Sequence, residues 1–547
     1  MRIRTAARLS ASGLVLLLGT ALVAPMTASA ADDTGRSSAT SPGSSPGSSP
    51  GSSPGSSPGS SKKAEAARAA LAEVEAAVTG QAAGSESHRD LTVAMRDLFV
   101  LKDALRGEDR ATAEGLLLRP TTPPDDPSDP RDIYYGEDAD LRTQCADTFC
   151  LHWVETGEHA ATPDFAATAF ETIGDVAEVY AAAGFRAPLP DAGQEGDTRT
   201  DFYLGDIDRY GALGFCRSDA DGPVTGSAWY AYCGFDNDYA SSPWLDPTSL
   251  LQVTVAHEYF HAVQFAYDAE DDGWLMESTA TAMEDELYDD VNDNAFFLNF
   301  GQMGDPEVFG YPLAGPSTPL DTFDLTAYGN WGFWRYLTEQ HPDETAGVPD
   351  LVREVWEALD TTQGPNPAYS LEALDEVLAA RGTSTPQEYV AFAAANQHPA
   401  DVYEEAVEQG YPTAPNTLET VLLSRTAPTA TRTATLDHLT SATGAVVPFA
   451  GSRALKVRLD LGGTGTARAA VTVIGAEGPT TTYVPVNRQG KGSVTVPFAA
   501  DTVSSVEVTL ANGSTEMVEC GGFTPSSCGG VGADDGLVAE VRFQAVG

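Results

Sequence analysis

The sequence predicts an α+β protein: a mostly helical part with a small mixed α/β N-terminal lobe, followed by a C-terminal all-β, sandwich-like domain. Two observations carry this expectation. Between Ile133 and Asn396, two β-type runs (Leu151 to Glu155, Thr200 to Leu204) give way to helix-type stretches. After about Asn416 the composition turns to Thr, Val and Gly. There apolar residues alternate with period two in Ala454 to Leu461, Val471 to Ile474, Ser493 to Val496 and Ser505 to Leu510.

Five segments follow along the chain. Residues 1–30 read as a signal peptide: Arg2, Arg4 and Arg8 form a basic start, Leu14 to Val23 an apolar run, and Ala28-Ser29-Ala30 a small-residue cleavage site. That run is shorter than the ~20 residues a membrane span requires. The protein is therefore expected to be secreted and extracellular, with no membrane insertion. Residues 31–61 are expected to be a disordered tail, because a Ser-Pro-Gly-Ser repeat cannot build a core. Residues 62–130 form an Ala-rich helical segment, with Leu91, Met95, Leu98, Leu101 and Leu105 at helical spacing, closed by a Pro/Asp-rich break. It is either a structural piece or a removable pro-region. Residues 131–415 are expected to hold the chemistry, and 416–547 the β-domain.

Charge and cysteine content restrict the partners and the compartment. Lys and Arg number 31 against 79 Asp and Glu, a formal net charge of −48. Such acidity argues against nucleic acid and anionic membranes as partners, since both need basic patches. The six Cys of an exported chain suggest disulfides, and they fall into the local pairs Cys145/Cys150, Cys216/Cys233 and Cys520/Cys528.

The chemistry concentrates in His257-Glu258-Tyr259-Phe260-His261. On a helix, positions i and i+4 share a face, so both imidazoles can reach one Zn²⁺ with Glu258 beside it. Asp246-Pro247 supplies an N-cap and a first-turn proline for that helix. Leu250, Leu251, Val253, Val255, Phe260, Val263 and Phe265 make it apolar around most of its circumference, which predicts burial. Catalytic zinc takes a third protein ligand and an open position. Glu277, on a following helix from Trp274 to Tyr288, is the favoured candidate. Glu284 lies on nearly the same face, either as the ligand itself or as a group orienting one imidazole.

These two segments resemble the gluzincins, zinc metallopeptidases in which H-E-x-x-H is followed by a Glu ligand on a second helix. Trp274, Leu275, Glu277, Ala280 and Glu284 match the W-L-N-E-G-F-A-x-Y-x-E block of the aminopeptidase branch in register. Met276, Ser278, Thr279 and Ala282 do not. The resemblance implies a zincin-type catalytic domain over 131–415, Zn²⁺ as cofactor, His257, His261 and Glu277 as ligands, and Glu258 as general base. It also implies a catalytic Tyr opening a later helix. Tyr328, in Tyr328-Gly329-Asn330-Trp331-Gly332, fits that position with one extra residue and no Lys, and Tyr311 and Tyr336 are rivals. Cys145 to Asn396 as a whole is also similar to uncharacterised secreted bacterial metalloprotease-like proteins.

The ligand gap is shorter than in those aminopeptidases, and their G-A-M-E-N segment is absent. The expected function is thus a secreted zinc-dependent peptidase acting on protein or peptide, more an endopeptidase than an aminopeptidase. The alternative is a non-catalytic extracellular binding or adhesion protein on a peptidase-like fold. Asp268, Glu270, Asp271 and Asp272, and separately Asp236 and Asp238, do not match a Ca²⁺ loop and are expected to be solvated.

Overall fold

The structure is a computed structural model that describes residues 58–79, 91–125, 131, 133–220, 222–240, 245–364, 367–522 and 524–547. The expected signal peptide and nearly all of the expected tail lie outside the described residues. Both helices and strands are present, as an α+β reading requires.

Helices α1 (Pro58–Val78), α2 (Thr92–Leu101) and α3 (Glu108–Leu116) come first. Leu91, Met95, Leu98 and Leu105 are buried in the main core. A five-stranded sheet follows, built from β1 (Leu141–Cys145), β2 (Phe149–Val154), β3 (Thr200–Gly205), β4 (Gly214–Arg217) and β5 (Tyr232–Asp236) in the order β1-β2-β3-β5-β4. β2, β3 and β5 run parallel, while β1 and β4 are antiparallel edges. The β2–β3 crossover is helix α4 (Pro163–Ala182), started by Thr162, whose hydroxyl accepts from Phe165 N at 3.2 Å. β3 and β5 are buried along their whole length, as parallel strands covered on both faces are.

Periodicity points to β2 and β3 but gives no sign of β1, β4 or β5. β4 and β5 are short and carry Gly and Cys in place of an alternating apolar pattern. A covalent link holds them in register instead, for Cys216 faces Cys233 across the pair and is bonded to it. Cys145–Cys150 likewise ties β1 to β2, and Cys520–Cys528 closes a loop near the C-terminus. All three local pairs therefore form.

The two long helices of the centre are α5 (Pro247–Tyr267) and α6 (Gly273–Leu287). Asp246 caps α5 by accepting from Thr248 N at 3.0 Å and Ser249 N at 3.2 Å. α5 packs on β4, β5, α4 and α6. A single-turn α7 (Pro306–Phe309) leads to α8 (Leu325–Gly329) and α9 (Trp331–Gln340). The residue pattern from Phe323 to His341 predicts one helix. It breaks at Asn330, whose side chain is used to tie loops: Oδ1 accepts from Gln302 N at 3.1 Å and Nδ2 donates to Leu320 O at 2.7 Å. Gly329 lies so close to Gly301 that a Cβ there would sit 2.1 Å from the Gly301 nitrogen. A two-strand ribbon, β6 (Glu344–Thr345) with β7 (Val348–Pro349), precedes α10 (Asp350–Ala358), α11 (Leu371–Ala380) and α12 (Thr385–Ala395).

The remaining strands are β8 (Val421–Leu422), β9 (Thr429–Leu436), β10 (Thr440–Val447), β11 (Ala454–Asp460), β12 (Ala467–Gly475), β13 (Gly478–Tyr483), β14 (Lys491–Pro497), β15 (Val503–Asn512), β16 (Met517–Val518), β17 (Val531–Gly532) and β18 (Leu537–Val546). They form a sheet of order β13-β12-β15-β10-β8, a second of order β14-β11-β18-β9, and the small pair β16-β17. Val457, Val471, Val506, Val508, Leu510, Val541 and Phe543 make a core of their own there. These strands are joined to the helices by polar contacts as well as by packing. Gln302 Nε2 donates to Leu439 O at 2.8 Å, and Cys528 N donates to Asp272 Oδ1 at 2.9 Å.

His438 anchors this junction. Its Nε2 lies 3.0 Å from Asp321 Oδ1 and its Nδ1 lies 2.6 Å from Asp535 Oδ1. Burial would depress its pKa, but bonds to and charges of Asp321 and Asp535 outweigh burial and lift it from 6.5 to about 9. A raised histidine pKa contributes stability that is fully present below about pH 6.5 and is lost as pH rises through about 9, at most roughly 3 kcal/mol. Thermal unfolding should therefore show wild type well above His438→Gln at pH 6, with the gap closing toward pH 10. A gap independent of pH would refute the charged bridge.

Candidate metal centre

α5 presents His257, Glu258 and His261 to the interior, where each is at most 2% exposed. Buried imidazoles need partners, and here those partners determine where the ring protons sit. His257 Nδ1 lies 2.7 Å from Glu284 Oε1, and a carboxylate only accepts, so Nδ1 carries the hydrogen. His261 Nδ1 lies 2.6 Å from Gln264 Oε1. The Gln264 amide group is oriented by its Nε2, which donates to Met276 O at 3.0 Å and Thr279 Oγ1 at 3.1 Å. Oε1 therefore faces the ring, and His261 too is protonated at Nδ1.

Both Nε2 atoms are thus left as lone-pair acceptors, and they point at each other, 3.0 Å apart. Glu277 Oε2 completes the group at 3.2 Å from His257 Nε2 and 3.7 Å from His261 Nε2. That oxygen is buried and, among the described residues, accepts no hydrogen bond. Three acceptors converging in a dry interior repel one another unless a cation lies between them. Two imidazole nitrogens and one carboxylate oxygen are a donor set suited to a transition metal ion such as Zn²⁺. His257, His261 and Glu277 are accordingly the residues that could hold it.

α6 brings Glu277 and Glu284 to this point together, with different jobs. Glu277 faces the Nε2 atoms, whereas Glu284 stands behind His257 and orients its ring. Three indoles fix the register of α6: Trp274 Nε1 donates to Ser370 Oγ and Ser527 Oγ, Trp334 Nε1 to Ser278 Oγ, and Trp356 Nε1 to Thr279 Oγ1.

Glu258 turns toward the sheet edge. Its Oε2 accepts from Thr92 Oγ1 at 2.8 Å. On the β4 side it fills the space a side chain would take at residue 214, where a Cβ would meet Glu258 Cγ at 2.8 Å. Gly214 is thus required by close approach. The ring of Tyr328 stacks on His257, centroids 6.2 Å apart and 12° from parallel. Of the two rivals, Tyr311 packs against the same Phe300, Leu325 and Tyr328 cluster, and Tyr336 lies elsewhere. The Tyr311 hydroxyl donates to Asp324, and Tyr336 packs against Phe392 and Tyr403. Gln264, Gly214 and Thr92 were not anticipated. Gln264 alone had a local signal, since it lies one helical turn after His261.

The acidic loop between α5 and α6 is solvated only in part: Glu270 is exposed as expected and Asp272 is half-buried. Asp268 and Asp271 are buried, because Arg96 of α2 covers the loop by donating to Ala269 O at 3.0 Å and Asp271 O at 2.6 Å. Burial pushes the Asp268 carboxyl up to about 7 and that of Asp271 well up. Asp236 is also buried, and its oxygens accept from the backbone N–H groups of Ile207, Asp208, Asp238 and Tyr239. Asp238 is exposed. Three other clusters of ligand-type residues among the described ones are committed elsewhere: the Cys145–Cys150 disulfide lies beside Asp197 in one and beside His152 and Asp201 in another, and Asp236 with Asp206 and Asp208 serves the turn just described.

No family model matches the chain, and no curated protein matches it. Among solved structures, CorA, a surface-associated copper-binding protein important in copper acquisition in Methylomicrobium album BG8, is similar at 8% identity over 24% of this chain and 100% of that chain, with a TM-score of 0.16. A family GH115 4-O-methyl-alpha-glucuronidase with specificity for decorated arabinogalactans is similar at 10% identity over 67% of this chain and 54% of that chain, with a TM-score of 0.14. Likenesses this slight carry no argument about fold or chemistry.

The two glutamates of α6 can be separated by metal titration. Glu277→Gln should leave Zn²⁺ on the two imidazoles alone and weaken binding well beyond the roughly 10–100-fold loss expected of Glu284→Gln, which keeps all three ligands. Equal losses in the two variants would show that the roles assigned here are wrong.

Proposed function

We propose that this chain is a secreted zinc-dependent peptidase of gluzincin type, more an endopeptidase than an aminopeptidase. In this reading a zincin-type catalytic domain spans 131–415 and a sandwich-like domain spans 416–547. The observation that carries it is the convergence of His257 Nε2, His261 Nε2 and Glu277 Oε2, with Glu258 next in sequence. The export-type N-terminus and three disulfides support secretion, and among the described residues no helix is long and apolar enough to cross a membrane.

A Zn²⁺ ion bound there would acidify a water and polarise the scissile carbonyl. Glu258 accepts the proton of the attacking water and returns it to the leaving amine. Tyr328, whose ring lies parallel to that of His257, is the candidate with a ring contact to a ligand and donates to the oxyanion. Gln264 and Glu284 hold the imidazoles in the tautomer that puts a lone pair on both Nε2 atoms, as metal binding requires.

The alternative, a binding or adhesion protein, gains little from the β-strands. Phe498 and Phe543 are buried, whereas Tyr483 is exposed. It also leaves an intact Glu258 unexplained.

Wild type should carry one zinc per chain and cleave casein or a peptide library. Glu258→Ala should keep the zinc and lose roughly 100- to 10,000-fold in rate. Gly214→Ala, which crowds Glu258 without touching a ligand, should keep the zinc and slow cleavage on the order of 10- to 100-fold. A wild type without zinc would end the hydrolase reading. One with zinc that cleaves no peptide would favour the binding protein.

A further inference from the structure

The three ligands and Glu258 are almost completely buried, so a polypeptide cannot reach them without movement. Helix α2 is what covers them on the β4 side. The side chain of Thr92, the first residue of α2, bridges two groups: its hydroxyl donates to Glu258 Oε2 at 2.8 Å and accepts from Cys216 N at 2.7 Å. Cys216 is on β4, the unpaired edge of the sheet, and its N–H points away from β5. Such an edge amide is what an extended peptide would bind by strand addition. One turn later, Arg96 Nη1 contacts Met276 Sδ at 3.2 Å, next to Glu277, and holds the α5–α6 loop carbonyls. Phe99 packs edge-on against Phe265 of α5 at 5.8 Å. α2 thus spans both metal-bearing helices and occupies the sheet edge.

The chain downstream of α2 is anchored independently. The Arg217 guanidinium donates to the carbonyls of Leu116 and Leu118, Tyr232 Oη donates to Leu117 O at 2.8 Å, and Arg119 pairs with Asp191, Asp201 and Asp219. Between these two parts lies an exposed turn, Arg106 to Asp109, that passes through Gly107 at φ +61° into the first two residues of α3. Exposed turns of this kind are where proteases cut.

We propose that α1–α2 is an autoinhibitory segment seated on Glu258 and the β4 edge, and that the exposed Arg106–Asp109 turn is the processing site whose cleavage releases it. The step is hydrolysis of one peptide bond by a second peptidase: water adds across the bond, leaving a carboxylate on the α2 side and an amine on the α3 side. α3 and the Arg119 cluster stay with the sheet. This inference rests on the peptidase reading above.

The test uses the full chain with a site-specific protease recognition sequence in place of the 106–109 turn. Zinc content, the rate of zinc removal by a chelator, and peptide cleavage are measured before and after cutting and gel filtration. The proposal expects the α1–α2 fragment to separate, zinc content to stay constant, and chelator removal to accelerate. Peptide cleavage should rise about ten-fold or more, the ratio expected if the open form is at most about one-tenth of the intact chain. The fragment added back should inhibit again. An uncut double variant, Thr92→Val with Arg96→Ala, should also lose zinc to chelator faster than wild type. Zinc retained with the fragment gone and cleavage no faster would overturn the proposal, as would a fragment that never separates. Absence of zinc in both cut and uncut protein would instead defeat the peptidase reading itself.

Discussion

Everything at the centre of this protein answers to one electrostatic constraint. Two imidazole nitrogens and a carboxylate oxygen face one another within 3.7 Å inside a buried core. Such an arrangement is unfavourable unless a cation lies among them. Glu284 and Gln264 enforce it by holding the Nδ1 protons on the far side of each ring. The three tryptophans that donate to α6 and its neighbours fix the helix that supplies Glu277. Every α5 residue from Val253 to Tyr267 is buried, so bulk solvent screens the cluster little.

The rest of the architecture presses inward on the same place. The Cys216–Cys233 bond fastens β4 over α5, and Gly214 makes room there for Glu258. The C-terminal strands contribute at a distance from the ligands. Their Cys520–Cys528 loop reaches the start of α6, where Ser527 receives the Trp274 indole and Cys528 N donates to Asp272. His438, the single histidine of those strands, is spent on a charged bridge to Asp321 and Asp535. It ties the strands to the helices and has no part in the metal cluster.

What could be read from the sequence was what is local. The i, i+4 histidines, the Asp246-Pro247 start and the apolar circumference of α5 all act within one helix, and a linear pattern records them. Glu277 was within reach because it opens the following helix. The division of labour between Glu277 and Glu284 was not, since both lie on one face and only the packing angle of α5 on α6 decides which meets Nε2. β4 and β5 escaped notice because a disulfide, not strand propensity, sets their register. Asp268 and Asp271 look like surface residues until Arg96, over 170 positions earlier in the chain, is laid across them. The break at Asn330 likewise depends on Gly301 and Leu320, neither of which is part of either helix.

The central claim concerns coordination, and X-ray absorption at the zinc edge addresses it directly. Wild-type protein loaded with Zn²⁺ and Glu277→Gln should be compared. The account expects two imidazole nitrogens at about 2.0–2.1 Å and carboxylate oxygen at about 2.0–2.2 Å in wild type, with the imidazoles kept and the carboxylate lost in the variant. A metal that washes out of the wild type on dialysis, or a coordination shell identical in the two proteins, would contradict it.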